Sequence, residues 1–379
     1  MLRRLTILAI VLVPALNSAG RCAPTAAALD AEVRGVLTRT HAKGLAIGVV
    51  EHGKVATVRA YGVRNAAGAP LTTHTIMYGA SLTKAVFAYG VMTLVDRKQL
   101  DLDAPLATLL PKPISAYAGY ESLAADDRWT KITPRMALTH STGLANFIFV
   151  EPDHALHIHF DPGSRYAYSG AGLLLLQMTL EQHLGLDMRA FTDAYLARLH
   201  MSRTSFVWRE VFSGDLADGF DDQGRTVPHD QRSSVRVAGS MDTTIEDLTR
   251  FAAALVHGTG LSARARADMT RPQLPITTAH QFPTLQPELP PGARRKDLSA
   301  GLGVVTFQGP QGAGFYKGGH DEQTANTMVC LERGQQCIVI LSNDVRAEAG
   351  YAGLVQFVLG DTHVPYDWEY GDGAGKSNP

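Results

Sequence analysis

Segments with strand-like patterns occupy both ends of this 379-residue chain, and its middle is mostly helical in character. Residues 44–51 and 55–61 form two apolar runs joined at His52-Gly53, which is typical of a β-hairpin. Later strand-like runs cover 302–307, 315–319, 327–332 and 337–342. Because isolated strands need partners, the two ends are expected to share one sheet. The sequence therefore predicts an α+β fold, with an antiparallel sheet from the N- and C-terminal segments, flanking helices and an inserted, mostly helical subdomain.

This pattern gives the expected division of the chain. Residues 24–100 and 292–360 are expected to form the sheet subdomain, and residues 101–291 the helical subdomain. Residues 361–379 are acidic and contain glycines, which predicts a flexible tail.

The first 23 residues have the pattern of a secretory signal peptide. Arg3 and Arg4 precede an apolar stretch at 5–16, and small residues follow at 18–20. We therefore expect a periplasmic or secreted protein with no stable membrane insertion after cleavage. An uncleaved N-terminal anchor is the alternative.

Two cysteines lie on either side of a predicted turn. Cys330 and Cys337 belong to apolar runs that flank Arg333-Gly334. This arrangement places them opposite one another across a hairpin, and an exported protein matures in an oxidising compartment. The sequence predicts a Cys330–Cys337 disulfide in preference to a metal site, because no other Cys or His lies nearby at zinc spacing.

A serine and a lysine lie three residues apart where an apolar, helix-like run begins. Ser81 and Lys84 would occupy one face of that helix, one turn apart. The first turn of a helix also gathers unpaired N–H groups. This arrangement is typical of a nucleophile with a proton acceptor beside it, although a capping serine and a solvated lysine would give the same spacing.

Two further residues could complete such a site. Tyr168 follows a Pro-Gly turn at 162–163, and its phenolate could be held between two lysines and relay protons. Lys317 begins a Lys-Gly-Gly sequence on a predicted strand, where backbone could approach a substrate. Taken alone, a core tyrosine and a surface lysine would be the ordinary interpretations.

The three sequences in this order resemble the penicillin-recognising serine hydrolases, a group that includes class C β-lactamases, D-alanyl-D-alanine peptidases and related esterases. Ser81-Leu82-Thr83-Lys84 is similar to the Ser-x-x-Lys motif, Tyr168-Ser169-Gly170 to Tyr-x-Asn, and Lys317-Gly318-Gly319 to Lys-Thr-Gly. His140-Ser141-Thr142-Gly143-Leu144 resembles a His-Thr-Ser-Gly-Leu sequence of the same group.

The resemblance implies roles for particular residues. Ser81 would be the acylated nucleophile, Lys84 its proton partner, Tyr168 the general acid/base, and Lys317 the electrostatic partner of Tyr168 and of a substrate carboxylate. The N–H groups of Ser81 and His320, with Gly319 giving close approach, would form the oxyanion hole. His320 could alternatively belong to a His-x-Gly form of the third motif.

Two departures from the motifs modify this expectation. Gly170 stands where the resemblance has an asparagine that binds substrate amides, so we expect weak β-lactam turnover and a gain in a Gly170→Asn variant. Asp321 and Glu322, just after the third motif, would weaken attraction for an anionic substrate. Arg346 is the candidate anchor for a substrate carboxylate.

Other functional classes have little support. The net charge of −1, without a basic cluster, argues against nucleic acid as a partner. No phosphate- or dinucleotide-binding glycine pattern occurs, so no cofactor is expected. His154, His157 and His159 lie in a loop-like region and are expected to be surface residues, not metal ligands.

We therefore expect a serine hydrolase that cleaves an amide or ester acyl bond of a small-molecule or peptide substrate through an acyl-enzyme on Ser81. The candidate substrates are β-lactams, D-Ala peptides and small esters. The alternatives are a carboxylesterase with little β-lactam activity and a catalytically weak binding protein of the same fold.

Overall fold

A computed structural model describes residues 24–371 of the chain; the expected signal peptide lies outside this range. The strands are β1 (Gly44–Glu51), β2 (Lys54–Gly62), β3 (Met77–Tyr78), β4 (Gly219–Phe220), β5 (Thr226–Val227), β6 (Asp242–Thr243), β7 (Leu274–Pro275), β8 (Leu298–Ala300), β9 (Val305–Gly309), β10 (Gly312–His320), β11 (Ala325–Leu331) and β12 (Gln336–Ser342). The α-helices are α1 (Ala26–Thr40), α2 (Leu82–Asp96), α3 (Leu106–Leu109), α4 (Pro134–Leu138), α5 (Gly170–Leu184), α6 (Met188–Arg198), α7 (Ile245–His257), α8 (Ala263–Thr270), α9 (Tyr351–Leu359) and α10 (Tyr366–Tyr370).

One eight-stranded antiparallel sheet joins the two ends of the chain. Its strand order is β2-β1-β12-β11-β10-β9-β8-β7. Strand β1 pairs with its hairpin partner β2 on one side and with β12 on the other, with Leu45 opposite Ser342. The α+β fold with a shared sheet, expected from the sequence, is therefore confirmed.

The sheet is covered by helices on both faces. Alternate residues of β1 point to opposite sides, so that Ala46 and Val50 pack with α2 and α7 whereas Leu45 and Ile47 pack with α1 and α9. Gly48 allows α7 to come close, because a Cβ atom at this position would lie within the Thr249 side chain. Burial on both faces explains why β1 is an almost continuous apolar run.

The predicted disulfide is present. Strands β11 and β12 place Cys330 directly opposite Cys337, and the two sulfur atoms are bonded. The connecting turn uses Gly334 with a φ of 72°, a conformation that glycine adopts easily.

Two boundaries differ from the sequence-based expectation. Helix α7 packs on strands β1, β2 and β12, and β7 belongs to the sheet, so elements between 245 and 275 join the sheet layer instead of the inserted helices. The expected flexible tail is ordered in its first part: α10 is docked, and Tyr366, Trp368 and Glu369 are buried. Aromatic side chains drive this docking despite the acidic composition.

Within residues 24–371, no helix is long and apolar enough to span a bilayer.

Candidate active site

The site is built around the start of helix α2. Ser81 is the N-cap residue of this helix, and Ala80 before it has a φ of 45°, an uncommon conformation for a non-glycine residue. The turn is held because Leu82 N–H and Thr83 N–H donate to the carbonyls of Gly79 and Ala80. The N–H of Ser81 has no acceptor among residues 24–371. Ser81 therefore presents a hydroxyl and an unused N–H together.

Lys84 lies one turn further along α2, beneath Ser81. Its side chain is fully buried, and its Nζ lies 3.0 Å from Ser81 Oγ and donates to the carbonyl of Ala238. Burial lowers the pKa of the Lys84 ammonium well below its ordinary value, and the charge of Lys317 lowers it further. A neutral amine beside a serine hydroxyl can accept its proton.

Tyr168 sits between the two lysines. The Nζ atoms of Lys84 and Lys317 lie 4.8 Å and 5.1 Å from the centre of its ring, and Lys317 Nζ is 3.5 Å from the phenol oxygen. Burial raises the pKa of Tyr168 above its ordinary value, although the Ser81 hydroxyl acts in the opposite direction. Burial thus favours the neutral phenol, whereas the sequence suggested a phenolate held by the lysines.

His140 holds the Tyr168 segment in place. Its Nδ1 accepts a hydrogen bond from Ser169 N–H at 3.1 Å, and its carbonyl accepts one from Ala167 N–H at 2.8 Å. Its ring lies 4.5 Å from that of Tyr168, centre to centre. Burial, together with the charges of Lys84 and Lys317, lowers the pKa of His140, so a neutral imidazole accepting at Nδ1 is favoured.

The end of strand β10 faces the start of α2. Strand β9 pairs with β10 only as far as Tyr316, which leaves the edge from Lys317 onward free of a strand on that side. A Cβ atom on Gly319 would lie 2.8 Å from Leu82 N and 3.1 Å from Ser81 N. The two backbones therefore approach closely next to the Ser81 hydroxyl, and His320 follows at the mouth of the cleft.

Gly170 is crowded by a neighbouring loop. Its N–H donates to Asn146 Oδ1 at 3.0 Å, and a Cβ atom here would lie 2.9 Å from the Asn146 carbonyl oxygen and 2.9 Å from the Phe147 ring. Asn146 and Phe147 both line the cleft. An asparagine side chain at position 170 would therefore collide with this loop, and the amide in the cleft belongs to Asn146, which the sequence did not indicate.

Arg346 is engaged away from Ser81. Its guanidinium pairs with the buried Asp344 through two hydrogen bonds of 2.9 and 2.6 Å, and it does not line the cleft. The candidate carboxylate anchor is thus not brought to the site.

The closely spaced histidines also have other partners. His157 pairs with Asp153 at 2.8 Å and His159 with Glu151 at 2.7 Å. No cluster of His, Cys, Asp or Glu suited to a metal ion occurs among residues 24–371.

A cleft of about 540 Å³ opens over Ser81, Tyr168 and His320. Its charged lining consists of Arg236 and Asp321. Most of its wall is apolar and includes Phe147, Ile148, Phe149, Leu156, Leu174 and Phe282. Because Phe149 is 66% exposed and Phe282 38% exposed, aromatic side chains form an open lip around the serine.

Known proteins resemble this chain along most of its length. Esterase EstB of Burkholderia gladioli is 28% identical over 331 residues, which cover 77% of this chain and 79% of that protein. Protein flp of Staphylococcus aureus is 25% identical over 222 residues, and the match spans 52% of this chain but only 42% of that protein.

The fold has solved counterparts. The crystal structure of D-alanine carboxypeptidase AmpC from Burkholderia cenocepacia superposes with a TM-score of 0.70 at 18% identity, covering 89% of this chain and 99% of that one. A family model described as Beta-lactamase matches residues 29–358. This match covers Ser81 and Tyr168, which line the cleft, and the buried Lys84 and Lys317 beside them, and it shows that the chain belongs to the Beta-lactamase family of serine hydrolases.

Proposed function

We propose that this protein is a carboxylesterase that works through an acyl-enzyme on Ser81. The observation that carries the proposal is the 3.0 Å approach of the buried Lys84 Nζ to Ser81 Oγ. Serine needs a nearby base to become a nucleophile, and burial makes Lys84 such a base. The proximity of Tyr168 and Lys317 adds a proton donor and a positive charge.

The first half of the reaction forms the acyl-enzyme. Ser81 Oγ attacks the ester carbonyl while its proton passes to Lys84 Nζ, and the developing oxyanion accepts hydrogen bonds from Ser81 N–H and from the free edge of β10 at His320. As the C–O bond to the alcohol breaks, the Tyr168 phenol gives its proton to the leaving oxygen. Lys84 then returns its proton to Tyr168, which restores the phenol.

Water completes the cycle by the reverse route. The neutral Lys84 first takes the phenolic proton of Tyr168. A water molecule then attacks the acyl carbon as its proton passes to Tyr168, and the Ser81–acyl bond breaks as Lys84 returns its proton to Ser81 Oγ. Lys317 in its ammonium form would stabilise negative charge on Tyr168 during both halves, since its Nζ lies 3.5 Å from the phenol oxygen.

The cleft favours an ester with apolar groups. Aromatic and aliphatic side chains make up most of the wall around Ser81, and Arg236 and Asp321 add one charge of each sign. Asp321 would repel a substrate carboxylate whereas Arg236 would attract one, so these two charges do not select between the substrates. Arg346 is already paired with Asp344. Position 170 provides no amide side chain, and the amide in the cleft comes from Asn146, which accepts from Gly170 N–H. The similarity to Esterase EstB points in the same direction.

A substrate panel tests this choice. Purified protein is assayed with p-nitrophenyl butyrate, nitrocefin and a D-Ala-D-Ala peptide, and Ser81→Ala serves as the control. We expect kcat/KM for the ester to exceed the other two values by about 10²-fold or more, and we expect Ser81→Ala to lose the activity. Preferred turnover of nitrocefin or the peptide would contradict the esterase proposal, and absence of all three activities would favour the binding protein.

A further inference from the structure

A buried carboxylate lies close to Lys317 and takes no part in the proposed acylation and deacylation. Glu369 belongs to the short helix α10 and is only 6% exposed. Its Oε1 occupies the space beside Gly318, where a Cβ atom would lie only 2.0 Å from it. Lys317 Nζ donates to the carbonyl of this same Gly318 at 2.7 Å. Glu369 Oε1 and Lys317 Nζ therefore both lie against Gly318.

Helix α10 is firmly docked where it delivers Glu369. Trp368 is buried, and its indole N–H donates to Thr278 Oγ1 at 3.2 Å. The Tyr366 hydroxyl lies 3.1 Å from Thr327 Oγ1, and Asp367 pairs with Arg295 at 3.0 Å. These contacts fix the position of the carboxylate, so its charge acts from a defined place.

The other charged groups nearby are already matched. Glu348 pairs with His320 at 3.2 Å, and although burial opposes the charged imidazole, the surrounding carboxylates raise the pKa of His320. The groups facing Glu369 are Lys317 and His320 from β10, Glu348 from the turn after β12, and Tyr370 from α10 itself. With His320 and Glu348 paired, Glu369 is the carboxylate left to balance Lys317.

We propose that Glu369 is a positioning residue that keeps Lys317 in its ammonium form within an otherwise desolvating site. Two buried lysines beside one tyrosine would otherwise repel each other, and both would lose their protons readily. A fixed carboxylate near only one of the two lysines gives them different protonation states. Lys84 can then stay neutral as the base, and Lys317 stays positive beside Tyr168.

The directions of the pKa shifts of Lys317 and Glu369 agree with this proposal. Burial lowers the pKa of Lys317, and the negative charge of Glu369 opposes that decrease. Burial raises the pKa of Glu369, and the positive charge of Lys317 opposes that increase. Each group therefore favours the charged form of the other. The glycine at position 318 is required, because any side chain there would displace the carboxylate.

The proposal is tested by measuring the pH midpoint at which the Lys317 side chain loses its proton. Protein containing [ε-¹³C]lysine is titrated by NMR, and the Lys317 signal is assigned by its loss in Lys317→Met. In Glu369→Gln we expect the Lys317 midpoint to fall by about one pH unit or more, because an opposite charge has been removed. Gly318→Ala should lower it as well, since the methyl group displaces the carboxylate. Glu322→Gln removes an exposed carboxylate just after β10, is the matched control and should leave the midpoint unchanged.

An unchanged Lys317 midpoint in folded Glu369→Gln would overturn the proposal. The effect of Glu369 on turnover rests on the proposed function. If ester hydrolysis needs Lys317 as an ammonium, the basic limb of the pH profile of kcat/KM should move to lower pH in Glu369→Gln. The NMR midpoint needs no substrate. A shifted midpoint without ester hydrolysis would therefore reject the proposed function alone, whereas hydrolysis with an unshifted midpoint would reject only the role of Glu369.

Discussion

Replacing Gly319 with alanine would place a methyl group in the contact between β10 and the start of α2. The added carbon would lie 2.8 Å from Leu82 N, 2.9 Å from Gly79 O and 3.1 Å from Ser81 N. All three neighbours are backbone atoms, so no change of rotamer can relieve the contact. The strand and the helix would have to move apart by about half an ångström, a gap that already loses a good part of a contact's attraction.

The expected effect on catalysis is larger than the effect on stability. Overpacking of this kind costs about 1–3 kcal/mol of folding free energy. The same displacement separates the two proposed oxyanion donors, and loss of one such donor lowers kcat by about 10²–10³-fold. We therefore expect Gly319→Ala to remain folded with a reduced melting temperature, and kcat for p-nitrophenyl butyrate to fall more than KM changes.

Gly353→Ala is the matched control for this experiment. Gly353 lies on an exposed part of α9, and a Cβ atom there meets nothing within 4 Å. This variant should keep wild-type kcat and gain about 0.5–1 kcal/mol of stability. Wild-type kcat/KM in Gly319→Ala would refute the idea that the β10 edge and the α2 start together bind the oxyanion.

Three other predictions concern Lys84 as the base and Gly170 in the second motif. In Lys84→Arg, kcat/KM for the ester should fall by about 10²–10⁴-fold, because a guanidinium stays protonated and cannot accept the Ser81 proton. In the wild type, kcat/KM should decline as the pH falls through the depressed pKa of Lys84, since only the neutral amine is active; a pH profile with no acidic limb would count against Lys84 as the base. Gly170→Asn should show no gain in nitrocefin turnover and a loss of about 1–3 kcal/mol in thermal unfolding, because the new side chain meets Asn146 and Phe147. A clear rise in nitrocefin turnover would instead support the expectation drawn from the sequence.

The parts of the site that depend on local periodicity could be predicted from the sequence. Ser81 and Lys84 are separated by one helical turn, so their proximity follows as soon as α2 is recognised. The Cys330–Cys337 pair follows in the same way from the β11–β12 hairpin. The position of Lys317 on a strand was also readable, because apolar runs surround it.

Long-range packing accounts for what the sequence did not reveal. Asn146 lies 24 positions before Gly170, and no periodic pattern connects a loop to the first residue of α5. Glu369 lies in an acidic stretch that suggested a tail, and only the aromatics Tyr366, Trp368 and Tyr370 hinted that the stretch would dock. Arg346 looked available, although Asp344 two residues earlier was a local indication of its partner.

Labelling by a fluorophosphonate tests most directly whether Ser81 is the nucleophile. The wild-type protein and Ser81→Ala are treated with the reagent, and the adduct is mapped by peptide mass spectrometry. The account predicts one adduct on Ser81, loss of ester hydrolysis in step with labelling, and neither adduct nor hydrolysis in Ser81→Ala. An adduct on another residue, or wild-type hydrolysis by Ser81→Ala, would contradict it.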